Sequence, residues 1–153
     1  MKSIGFVGLG AMGSVMAPLP VKAGFNVTGF DLVARLDEPF GVVMAANLHD
    51  LASCDAIVLM LPDSTVVNKV ATSLAQAGFA GLLIDMSSSQ PDSTIALGKQ
   101  LGESGICLID APVSGGRKKA ALSTLMVMAG GSAVDLKTAG TLLACFGTVA
   151  HVG

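Results

Sequence analysis

IGFVGLGAMG, running from Ile4 to Gly13, decides how the rest of the chain is read. An apolar run leads straight into Gly8, Gly10 and Gly13, spaced G-x-G-x-x-G. A strand, a tight turn and a helix start in that order form a loop that cradles a diphosphate. Gly8 permits the turn, Gly10 lets the diphosphate approach the backbone, and Gly13 lets helix and strand pack closely. Leu9, Ala11 and Met12 complete the loop. The amides of Ala11 and Met12 are expected to face the phosphates, helped by the positive end of the helix dipole.

The next apolar run ends in Phe30-Asp31, and Asp31 lies 18 positions after Gly13. That is close to the ~20-residue spacing at which an acidic side chain accepts ribose hydroxyls. Asp31 in that role favours NAD, because a 2′-phosphate would be repelled. Arg35 nearby softens the preference and keeps NADP possible.

Further along, short apolar runs alternate with longer segments compatible with helices. Strands are expected at 3–7, 27–31, 42–45, 56–61, 82–85, 106–109, 125–129 and 149–152. Helices are expected at 11–23, 48–53, 65–76, 93–103 and 133–145. Continuous apolar strands imply a sheet covered on both faces, and intervening helices imply parallel βαβ units. The expected fold is α/β, a doubly wound and mostly parallel Rossmann-like sheet, with room for an antiparallel strand near the end. Asp63 or Ser64 suits the N-cap of the third helix, and Pro91 suits the entry to the fourth. Pro18 and Pro20 conflict with a continuous first helix and predict a kink or an end near Met16. The link from Asp31 to Val42 is short for a parallel crossover, so a stunted or irregular segment is expected there.

Composition narrows the function. At 153 residues the chain is expected to be one domain. Its charged fraction of 13% is well below the roughly 25% of ordinary domains, which leaves an apolar face for a partner to cover. The net charge of −2 gives no steering field for nucleic acid or anionic lipid, and without Trp or Tyr there are few platforms for bases. No apolar run reaches the ~18 residues of a membrane span, and no cleavable signal is expected at the N-terminus. Cys54, Cys107 and Cys145 are expected as reduced core thiols of a cytoplasmic protein. His49 and His151 stand apart from other ligand types, so no metal site is expected.

The remaining strand ends carry Leu61-Pro62, the hydroxyl cluster Ser87-Ser88-Ser89, and Asp110-Ala111-Pro112-Val113-Ser114-Gly115-Gly116. In a parallel sheet these meet on the carboxyl edge, where open α/β folds bind ligands. The Ser114 hydroxyl and the unobstructed amides of Gly115 and Gly116 suit a carboxylate or hydroxyl of a small acid.

GFVGLGAMG, MLPDS, DMSSSQP, DAPVSGG and LMVMAGG, in that order, resemble the β-hydroxyacid dehydrogenase family over essentially the whole chain. That family includes 3-hydroxyisobutyrate, tartronate semialdehyde and L-threonate dehydrogenases, with 6-phosphogluconate dehydrogenase more distant. The resemblance implies oxidation of a β-hydroxy acid by hydride transfer to NAD or NADP. It implies that Gly8 to Gly13 hold the diphosphate and Asp31 the adenosine ribose. It also implies that Leu61, Pro62 and Ser88 line the nicotinamide side, and that Ser114, Gly115 and Gly116 bind the substrate. The family's lysine, in a G-x-x-G-x-x-x-K context on a later helix, has no counterpart here, and Lys118 and Lys119 are expected as solvated helix charges. A helical C-terminal domain, or a homo-oligomer partner in its place, is expected beyond these residues. Two alternatives stay open, a non-catalytic dinucleotide-binding or interaction module and a sensor of NAD redox state.

Overall fold

A computed structural model of the chain describes residues 1–33 and 40–153. Six strands, β1 (Ser3–Val7), β2 (Asn26–Phe30), β3 (Val43–Met44), β4 (Ala56–Leu59), β5 (Leu82–Asp85) and β6 (Cys107–Asp110), form one sheet in the order β3-β2-β1-β4-β5-β6. Every pairing in it is parallel. The central strands are mostly apolar because alternate side chains enter two cores, one on each face. Ile4, Phe6, Val58 and Ile84 enter one, and Val7, Ile57, Leu59 and Leu83 enter the other. Full burial of side chains this size contributes about 1.5–3 kcal/mol each, so the sheet is held from both faces.

The second core is closed by α3 (Ser64–Gln76) and α4 (Pro91–Gly102), through Val67, Ala71, Leu74, Leu97 and Leu101. Asp63 caps α3 by accepting the Val66 amide at 3.0 Å, and Pro91 opens α4, both as expected. A 3₁₀ helix at Leu48–Ser53 packs Leu51 into the same core. The first core is closed by α1 (Gly13–Met16), α2 (Leu19–Lys22), α5 (Gly116–Ala121) and α6 (Ala133–Ala144). Phe6 meets Phe146 edge to face at 6.4 Å, which ties β1 to the segment after α6.

The helix expected at 11–23 divides where the prolines require. α1 ends at Met16, the chain stays right-handed through Ala17 and Pro18, and α2 restarts at Leu19. Pro20 falls in the first turn of α2, where a missing amide has no helical partner to lose. The short crossover after Asp31, with Arg35, lies largely outside the described residues.

Three expectations are corrected. The strands expected at 125–129 and 149–152 do not extend the main sheet. They form β8 (Leu125–Ala129) and β9 (Gly147–His151) of a three-stranded sheet whose first member, β7 (Val113–Ser114), was not anticipated. β7 runs antiparallel to β8, and β8 parallel to β9. Pro112 has no amide to continue the β6 ladder. Its carbonyl instead accepts the Met128 amide at 3.0 Å, and Asp110 and Gly130 exchange backbone bonds at 3.0 and 2.7 Å to seat the small sheet against the large one. α5 was also not foreseen; Gly115 precedes it and Gly116 opens it, with φ values of 137° and 73° that suit glycine. The cysteines are free; half-buried Cys54 and Cys145 pack against the cores as expected, but Cys107 is exposed on edge strand β6. Desolvation nonetheless pushes all three thiols up, aided at Cys107 by the Asp135 carboxylate and at Cys54 by Asp55. Among the described residues no helix is long and apolar enough to cross a membrane.

Candidate functional site

Parallel pairing places the carboxyl ends of β1, β2, β4, β5 and β6 on one edge of the sheet. Strand order reverses between β1 and β4, and loops leaving such neighbours in opposite directions open a crevice. A cleft of about 220 Å³ lies there, lined among others by Gly8, Asp31, Leu32, Leu61, Pro62 and Val66. Four of the residues singled out from sequence (Gly8, Asp31, Leu61 and Pro62) therefore share one cavity.

The three glycines of the loop differ in what requires them. Gly8 has φ 97°, and a side chain there would overlap the Met60 carbonyl. A side chain at Gly13 would overlap the Gly8 carbonyl. Both are demanded by the fold. At Gly10 a Cβ would meet nothing within 4 Å, and its φ lies outside the left-handed region. The protein alone does not require glycine there, and the absence of a side chain leaves that backbone face open.

The amides of Gly10, Ala11, Met12 and Gly13 find no acceptor among the described residues. Unpaired amides gathered in a turn that opens a helix form an anion cradle. The preceding amide, Leu9 N–H, is instead held by Asp31 Oδ2 at 2.7 Å, while Asp31 Oδ1 accepts the Val33 amide at 2.9 Å. Asp31 thus fixes the loop to the end of β2, a link that the spacing alone did not reveal.

The serines after β5 divide by role. Ser87 is buried and accepts the Leu61 amide at 2.9 Å, joining the β4 and β5 loops. Ser89 donates to Asp85 Oδ2 at 2.6 Å, and Asp85 Oδ1 accepts the Ser87 amide at 2.9 Å. Ser88 alone is exposed, with no bond from its hydroxyl to the described residues. Asp85, nearly fully buried, therefore organises this loop. Sequence reasoning noted it only as a strand end, although an Asp followed at i+2 and i+4 by serines is a turn signal.

Asp110 pairs in register with Asp85. Desolvation, then the Asp85 charge, holds the Asp110 carboxyl above the usual range. Beyond it Ser114 is exposed, and its hydroxyl makes no bond with the described residues. Gly115 and Gly116 follow at the head of α5, with Lys118 and Lys119 exposed as expected. Arg117, which the sequence reading passed over, reaches back to the glycine loop: its Nε donates to the Ala11 carbonyl at 3.0 Å.

Residues 3–153 match the family described as the NAD binding domain of 6-phosphogluconate dehydrogenase. The chain belongs to that family. As an NAD-binding domain of this family it is 37% identical to the 2-(hydroxymethyl)glutarate dehydrogenase of Eubacterium barkeri, across 98% of this chain and 53% of the relative. It is 34% identical to the mitochondrial 3-hydroxyisobutyrate dehydrogenase of Drosophila melanogaster, across 99% of this chain and 49% of that protein. Among solved structures, the 3-hydroxyisobutyrate dehydrogenase of Mycobacterium tuberculosis with L-serine superposes with a TM-score of 0.93 at 34% identity, covering 99% of this chain and 54% of that one. The NAD-binding domain thus spans about half the length of these relatives.

Proposed function

We propose that the chain is the cofactor-holding half of an NAD-dependent oxidoreductase that oxidises a small β-hydroxy acid at its hydroxyl. The observation that carries this reading is the run of amides at residues 10–13 that find no acceptor among the described residues, beside the open face of Gly10. Those amides take the diphosphate, with Gly8 and Gly13 shaping the loop around Leu9, Ala11 and Met12. In this reading Asp31, which holds the Leu9 amide, also accepts the ribose hydroxyls. Its charge disfavours a 2′-phosphate, which makes NAD the preferred cofactor over NADP. Leu61, Pro62 and Ser88 line the nicotinamide side, and the nicotinamide supplies the hydride acceptor when bound.

Ser114, Gly115 and Gly116 hold the substrate's carboxylate by one hydroxyl and two amides. Relatives named for 3-hydroxyisobutyrate and 2-(hydroxymethyl)glutarate support a small hydroxy acid as substrate class. In this reading the base that takes the hydroxyl proton belongs to the half of those relatives that this chain does not match. A helical domain or a second copy closes the cleft. The free thiols suit a reducing compartment such as the cytoplasm.

Calorimetric titration with NAD⁺, NADH and NADP⁺ tests the reading. Saturable heat with NAD⁺ and NADH, and weaker heat with NADP⁺, is the expected result. No heat with any of the three would sink it.

A further inference from the structure

We propose that Arg117 is a positioning residue for the cofactor's diphosphate, acting through the Ala11–Met12 peptide. This rests on the reading of the glycine loop given above. Arg117 sits on α5, directly after the Ser114-Gly115-Gly116 turn, and its Nε donates to the Ala11 carbonyl at 3.0 Å. In a trans peptide the C=O and the following N–H point in opposite directions. Holding Ala11 O toward α5 therefore aims the Met12 N–H away from α5, and that amide is one of those left without an acceptor.

Alternatives for the same carbonyl are weak. The Ser14 hydroxyl reaches it only at 3.5 Å, and the Val15 amide bonds Met12 O instead. Without Arg117 only the long Ser14 contact at 3.5 Å holds the Ala11 carbonyl, so the peptide's orientation is less fixed. The bond to a guanidinium is charge-assisted, and the remaining Arg117 donors have no acceptor among the described residues, so the cation stays beside the loop. α5 is itself anchored by Ala120, which is fully buried. The same contact thus joins the turn assigned to the substrate with the loop assigned to the cofactor.

The test compares the protein with its R117M and R117Q variants against NAD⁺, ADP and adenosine by calorimetry. Met keeps length without a donor. Gln places its amide nitrogen the same number of bonds from Cα as the arginine Nε, so it restores the donor without the charge. R117M is expected to bind NAD⁺ and ADP about fivefold more weakly, as for one hydrogen bond of ~1 kcal/mol, with adenosine unchanged. R117Q is expected to recover most of that loss. Equal affinity of R117M and the unsubstituted protein for NAD⁺ would overturn the inference. So would an equal loss for adenosine, which would mean general loosening, or an R117Q as weak as R117M, which would leave charge alone. Absence of NAD⁺ binding in the unsubstituted protein would overturn the inference together with the reading beneath it.

Discussion

Gly10 separates what the fold needs from what a ligand needs, and substituting it tests the glycine loop directly. In Gly10→Ala the new methyl meets no protein atom within 4 Å and φ stays outside the left-handed region. Folding therefore carries no steric penalty. Lost freedom of the unfolded chain stabilises such a site by about 0.4–1 kcal/mol. Gly10→Val carries two further carbons into the same open space, which the proposal assigns to the diphosphate. A phosphate held off the backbone loses its bonds to the Ala11 and Met12 amides. Bonds to charged groups are worth about 1.5–3 kcal/mol each. Losing two amounts to ~3–6 kcal/mol, a hundredfold or greater drop in affinity. Calorimetry with NAD⁺ reads the affinity, and thermal melting reads the fold. Gly10→Val is expected to melt within a few degrees of the parent and to bind no measurable NAD⁺. A Gly10→Val protein that melts normally and still binds NAD⁺ with parental affinity refutes the reasoning, because the diphosphate would then lie elsewhere.

Gly13→Ala is expected to behave in the opposite sense. Its methyl overlaps the Gly8 carbonyl, so the backbone must shift at a cost of about 1–3 kcal/mol, a fall in Tm of roughly 2–12 °C that melting curves would reveal. Asp31→Ala removes both the repulsion toward a 2′-phosphate and the acceptor for Leu9 N–H. It should narrow the gap between NAD⁺ and NADP⁺ affinities and lower stability by about 1 kcal/mol, whereas unchanged discrimination in titrations counts against a ribose role. Asp110 has its carboxyl raised, so the folded state binds its proton more tightly and loses stability as pH climbs from the ordinary carboxylate range through the raised value. Asp110→Asn should therefore gain on the parent at neutral pH and lose that advantage in acid. Urea melts at both pH values check this, and an equal difference at each excludes the carboxyl as the cause.

Features set by neighbouring residues were legible before any coordinates. The glycine spacing, the broken helix at Pro18, the Asp63 cap and the Pro91 entry all depend on local backbone sterics and nearby donors. The doubly wound sheet was legible too, because strands that feed two cores are apolar over most of their length. Which of the three serines faces outward was not legible, since Ser87 is chosen by a Leu61 amide 26 residues away. The exposure of Cys107 depends on β6 being an edge, which only the strand order decides.

The sequence by itself determined a glycine loop after a buried strand, an acidic residue at ribose spacing, and a Ser-Gly-Gly turn at another strand end. Tertiary structure decided that Asp31 grips the loop from 22 residues away and Arg117 from 106, that β7 to β9 leave the main sheet, and that Leu61 and Pro62 share one cleft with Asp31. The physical reason is range. Dihedral preferences and caps are written within a few positions of one another. Hydrogen bonds between loops depend on how strands are ordered, and no short window of sequence contains that order.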